Sequence, residues 1–166
     1  MITTFRSALA CTMLLALSAP MLAQANFSGQ WELVESVGPS DAAWSSPIGE
    51  RGSITHTTET FTLAPDQPRS VSQGTPTYRL DGSESRFETL TAGGETWRHV
   101  AQARWVSAAL VITTTTIQPG NSTGWEQMVT FSLNGDGGLE LTIVGPNLWP
   151  AGTTTTRRLV YRRRTA

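Results

Sequence analysis

His56, in "SITHTTETFTL" (53–63), and His99, in "ETWRHVAQARW" (95–105), are the two side chains suited to proton transfer or metal binding near neutral pH. A zinc site would need three or four ligands, and no spaced set of Cys, His or carboxylates accompanies either one. The chain also lacks a Gly-x-Ser-x-Gly elbow, a phosphate-cradling glycine loop and a His-Glu-x-x-His helix. Its 13 carboxylates are scattered, with no pair placed for glycoside hydrolysis. The expectation is no metal, no cofactor and no catalysis, with each histidine a hydrogen-bonded core residue. An enzyme using His56 or His99 as a base is the remaining alternative.

The second chemical feature is an aromatic face. Alternation in 95–105 puts Trp97, His99, Ala101, Ala103 and Trp105 on one side of a strand, and Arg98, Val100, Gln102 and Arg104 on the other. Two alanines between two tryptophans leave volume between aromatic walls, as a site for an apolar ligand requires. Large residues reaching across a small barrel, such as Phe131 or Leu141, would fill that same volume. His56 shares a face with Ile54 and joins this set, so the candidate ligand-binding residues are Trp97, His99, Ala101, Ala103, Trp105 and His56.

Strands must position these side chains. Period-two alternation recurs along the chain, broken by turn residues, and no long stretch has helical periodicity. Residues 53–63 read as one bent strand or two short ones. Asp81-Gly82 marks a hairpin within "TYRLDGSESRFETL", and Val106-Ser107-Ala108 and Asn134-Gly135 mark further turns. The pattern predicts an all-β fold, an antiparallel up-and-down meander of about 8–10 strands that closes as a barrel and so removes exposed edges.

Residues 1–25 read as a signal peptide. Arg6 supplies the positive charge, "ALACTMLLALSAPML" the apolar run, and Ala23-Gln24-Ala25 the small residues before cleavage after Ala25. Cys11 lies ahead of most of the apolar run, which excludes a lipoprotein anchor. The expectation is a secreted or periplasmic protein whose mature domain, 26–166, has no cysteine and hence no disulfide. All 12 basic residues are arginine and the net charge is −1, which gives no electrostatic case for nucleic acid. Strand faces broken by Thr, Arg and Gln argue against a membrane-embedded barrel. The Thr runs at 113–116 and 153–156 are too short per face for an ice or glycan platform. Asn121-Ser122-Thr123 matches a glycosylation sequon that only a eukaryotic secretory chain would use.

"NFSGQWEL" directly after such a leader resembles the start of the mature chain in the lipocalin-like family of secreted bacterial proteins, Phe-Ser-Gly-x-Trp-x-Leu. "ARWVSAALVI" (103–112), "FSLNGDGGLELTI" (131–143) and "RRLVYRRR" (157–164) are similar to later segments of that family, while "VESVGPSDAAW" departs from it. The resemblance implies a barrel and a bound small molecule. On physical grounds Trp31 would plug one end, with Gly29 giving room beneath it. An arginine of the last strand would stack on the indole, Arg158 or Arg162 being the candidates because they share a face with Val160. Two functional readings follow. One is a binder of a small, partly apolar molecule. The other is an envelope interaction or structural module with a packed interior, contacting partners through Trp44 and Trp149 in their Pro-containing loops.

Overall fold

The computed structural model describes residues 24–38, 46–67, 75–91, 93–146 and 153–165. Most of the leader, Cys11, Trp44 and Trp149 lie outside the described residues. Ten strands form among those described: β1 Gly29–Val37, β2 Arg51–His56, β3 Thr60–Pro65, β4 Thr77–Arg79, β5 Ser85–Leu90, β6 Thr96–Val106, β7 Ala109–Ile117, β8 Trp125–Leu133, β9 Leu139–Pro146 and β10 Thr154–Arg163. All neighbours pair antiparallel in one sheet of order β4-β3-β2-β1-β10-β9-β8-β7-β6-β5. The meander therefore closes through β1 on β10, and the expected up-and-down barrel is formed, nearly closed.

Its seam lies between β4 and β5. The Asp81-Gly82 turn is present, but the strands beside it do not form the expected hairpin ladder. The Asp81 carboxylate accepts from the Ser83 backbone N–H (2.9 Å) and hydroxyl (2.6 Å), which closes the turn on itself. The three-residue β4 pairs with β3, β5 pairs with β6, and the Arg79 N–H is taken by the Ser85 hydroxyl (2.8 Å). The 53–63 segment resolves into two strands, β2 and β3, around a Thr57–Glu59 turn held by the Thr57 hydroxyl.

The two barrel ends differ. Tight turns and both described chain ends gather at one, while the last residues of β1, β3, β5, β7 and β9, which the longer connections of the chain follow, lie at the other, the long-loop end. Trp31 is 0% exposed at the turn end, and its indole N–H donates to the Phe27 carbonyl (3.0 Å). The Arg163 guanidinium lies over the ring, 4.7 Å from its centroid, and donates to the Ser28 carbonyl (2.6 Å). Arg163 stands directly opposite Trp31 in the β1–β10 register.

The stacking arginine is thus Arg163, not Arg158 or Arg162. The inward face of β10 carries Leu159, Tyr161 and Arg163, whereas Val160, Arg158 and Arg162 face outward. Arg158 pairs with Glu140 (2.7 Å) and Glu35 (3.8 Å), and Arg162 with Glu32 (2.9 Å), which Arg51 also engages (2.8 Å). The two guanidinium groups hold the Glu32 carboxyl below its ordinary range. Gly29 gives the room expected of it: its φ is +147°, and an added Cβ would lie 2.6 Å from Arg163 Nη1.

Replacement of the outer arginine, Arg162→Gln, is expected to change stability by less than about 0.5 kcal/mol. Arg163→Gln removes the ring contact and a charge-assisted hydrogen bond and is expected to cost about 1–2 kcal/mol in urea unfolding. Gly29→Ala, strained in both φ and space, is expected to cost about 1–3 kcal/mol. Equal costs for Arg162→Gln and Arg163→Gln would contradict this assignment.

Candidate binding mouth

Ladder rows that run across β6, β7 and β8, and on to β9 and β10 in the lower rows, define the interior layer by layer. Nearest the turn end lie Trp105, Leu110, Phe131, Leu141 and Leu159. Above them come Ala103, Ile112, Val129, Ile143 and Arg157, then Ala101, Thr114 and Gln127, and finally His99, Thr116 and Trp125. The lining thus changes from apolar and packed to polar and partly exposed along one axis.

The packed half is filled. Phe27, Trp31, Ile48, Phe61, Phe131 and Leu141 are all 0% exposed, and Ala101 and Ala103 are 1% exposed. Phe131 meets Phe61 edge-on at 4.9 Å, and Phe27 meets Phe61 the same way at 5.9 Å. Trp105 stacks on Phe27 (5.9 Å, 12°). His56 lies in this half too, beside Trp105 (5.6 Å) and Phe61 (5.8 Å), and its Nδ1 accepts from the Phe27 N–H at 3.4 Å. Ile48 enters from the β1–β2 connection, where the Tyr161 hydroxyl donates to the Gly49 carbonyl (2.9 Å) and meets the Ser46 hydroxyl. Burial pushes that phenol up to about 12, so it remains protonated at neutral pH.

The candidate residues therefore separate. All five of β6 share the inward face, but Trp97 and Trp105 are eight positions apart on one strand, roughly 26 Å at about 3.3 Å per residue. Trp105 and His56 belong to the packed end and Ala101 and Ala103 to the filled middle. Only Trp97 and His99 reach the long-loop end.

There they meet residues that the sequence reading did not select. Trp97 and Trp125 stand edge to face (5.3 Å, 87°), and the Trp97 indole N–H donates to Glu95 Oε2 (3.4 Å). The His99 ring stacks on Phe87 (4.8 Å, 14°), which meets Tyr78 edge-on (5.8 Å, 88°). Thr89 Oγ1 lies 2.9 Å from His99 Nε2, and Thr116 Oγ1 lies 3.0 Å from Nδ1. Because β6 lies between β5 and β7, its histidine reaches one threonine on each neighbour. Trp125 was findable, since it shares the β8 face of Phe131; Thr89 and Thr116 were findable only through the strand register.

Trp97, Trp125, His99, Phe87, Thr89 and Thr116 form an aromatic mouth with a hydroxyl–imidazole–hydroxyl floor. Aromatic walls beside a few convergent polar groups are the kind of lining that small-molecule sites use. Among the described residues no group of three or more His, Cys, Asp or Glu gathers as a metal site. A cleft of 690 Å³ elsewhere is lined by Glu32, Leu33, Gly49, Glu50, Arg51, Asp66 and Gln67. Glu32 and Asp66 there are already paired with Arg51, Arg162 and Arg164, so that cleft offers paired charges rather than an apolar seat. Among the described residues no helix is long and apolar enough to cross a membrane. No family model matches the chain, and no curated protein matches it.

Burial lowers the imidazoles of both His56 and His99 below the ordinary 6.5. The unfolded chain then binds these protons more tightly, so this contribution to stability is complete above about pH 6.5 and is lost as pH falls. Arg162 and Arg51 at Glu32, Ser83 at Asp81 and Arg158 at Glu140 lower those carboxyls, and their contributions are lost only at more acid pH. The melting temperature is therefore expected to fall between pH 7 and 5, and the fall to shrink in a His56→Gln/His99→Gln variant. An unchanged slope in that variant would show that the histidines are not its source.

Proposed function

We propose that the mature chain binds a small, partly apolar molecule at the long-loop end of the barrel and performs no chemistry on it. The observation that carries this is the pairing of Trp97 with Trp125 above a half-buried His99 whose two nitrogens both meet hydroxyls. Aromatic walls with a few convergent polar groups are the lining of a small-molecule site. The binding reading is favoured over a catalytic one because, among the described residues, both His99 nitrogens meet threonine hydroxyls and no carboxylate meets the ring to orient it. A cleaved leader and a secreted or periplasmic location belong to this proposal. Ala25, the residue at the expected cleavage point, is partly buried against the barrel core.

The second reading, a structural or interaction module acting through its outer surface, is favoured by the filled lower interior, with Ala101 and Ala103 at 1% exposure. Mature chain purified from an envelope extract, analysed by native mass spectrometry and then by solvent extraction, distinguishes the two. Under the binding reading a small molecule is retained. Adding the extract back quenches tryptophan emission in the unaltered protein, and Trp97→Ala or Trp125→Ala reduces the quenching. Quenching that persists in both variants, or no retained species and no response to apolar probes, would leave the structural reading.

A further inference from the structure

The lining of the mouth restricts what it can hold, and this restriction rests on the binding reading just given. Every inward-facing position of β5 through β8 is formally uncharged. Ser85, Phe87 and Thr89 supply β5; Trp97, His99, Ala101, Ala103 and Trp105 supply β6; and Thr114, Thr116, Trp125 and Gln127 head the inward faces of β7 and β8. The carboxylate of Glu95 sits at the rim against Trp97. Of the cations on the inward face of β10, Arg163 is held over Trp31 at the opposite end, and Arg157, in the row of Ala103 rather than of His99, donates to the Ser36 hydroxyl of β1 (3.1 and 2.9 Å). An anion seated against Trp97 and Trp125 would lose solvation, meet no cation among the described inward residues of β5 to β8 and face the Glu95 carboxylate.

Length is restricted as well. Below the mouth Ala101 and Ala103 are 1% exposed, and Phe27, Phe61, Phe131 and Ile48 are sealed at 0%. A long acyl chain has nowhere to descend. A planar body one or two rings across would instead lie against the Trp97–Trp125 pair and the Phe87–His99 stack, leaving the core in place.

Hydrogen bonding sets the polar edge. A neutral imidazole has one N–H and one bare nitrogen, so one threonine accepts from His99 and the other donates to it. The accepting threonine keeps its own O–H. With the proton on Nδ1 this is Thr116, only 7% exposed; with the proton on Nε2 it is the half-buried Thr89. In the described contacts neither hydroxyl has any partner other than His99. One donor therefore stands at the mouth in either tautomer, and a buried donor without an acceptor is costly. We infer that the mouth selects a neutral, planar aromatic molecule bearing one acceptor oxygen, a ketone or ether class of ligand rather than a fatty acid or an aromatic carboxylate.

The test is equilibrium dialysis of the mature protein against 2-acetylnaphthalene, its acceptor-free analogue 2-ethylnaphthalene, 2-naphthoate and palmitate. The ketone is expected to bind about tenfold more tightly than the ethyl analogue and more tightly than the carboxylate, with palmitate excluded. That preference is expected to vanish in Thr89→Val or in Thr116→Val, whichever carries the free hydroxyl. Equal binding of ketone and ethyl analogue overturns the role of the hydroxyl. Preferential binding of naphthoate or palmitate overturns the neutral class, and leaves the mouth reading intact where Trp97→Ala weakens that binding. Retention of none of the four overturns both. Because the series is run on the unaltered chain, its result does not depend on any variant folding.

Discussion

The pairing of the first strand with the last is the constraint on which the rest depends. The meander becomes one nearly closed barrel because β1 pairs with β10, which brings the two remaining edges, β4 and β5, to a seam joined by the Asp81-Gly82 turn. The register of the β1–β10 pair is marked by Trp31 opposite Arg163, with the guanidinium lying across the indole and bonded to the Ser28 carbonyl. A slip of one residue would turn Trp31 outward and break the alignment of every inward row that follows around the barrel. Gly29 has no side chain because the guanidinium occupies that space.

With the floor fixed, the interior becomes a gradient. Phenylalanine, leucine and isoleucine side chains close the turn end and supply most of the burial that stabilises a domain of this size. The alanines of β6 let large residues from other walls fill the middle. Toward the long loops the inward positions become Thr114, Gln127, Thr116 and His99, a polar lining that tolerates water. Outside, arginine–carboxylate pairs cover β9, β10, β1 and β2. Stability thus rests on one half of the bore, and the proposed binding would use the other.

The strand pattern and the inward face of β6 were legible because period-two alternation is strong in "TWRHVAQARWV". Which end each residue would occupy was not, because alternation reports a face and carries no information on depth. Trp97 and Trp105 therefore read as two walls of one site although they stand at opposite ends. The last strand misled for another reason. In "RRLVYRRR" both faces carry an apolar residue and arginines, so parity could not choose between Arg163 and the pair Arg158 and Arg162 until the partner strand set the register. Ile48 gave no signal at all. It is a single apolar residue in a Pro- and Gly-containing connection, held inside by the Tyr161 hydroxyl bond to Gly49.

The central claim is that ligands meet the long-loop end while the Trp31 end stays shut. The most direct measurement is the set of indole N–H resonances of the six tryptophans, assigned by single replacement and followed as 2-acetylnaphthalene is added. The account predicts shifts at Trp97 and Trp125 with Trp31 and Trp105 unmoved. Shifts at Trp31 or Trp105, with Trp97 and Trp125 silent, would place the opening at the wrong end of the barrel and contradict it.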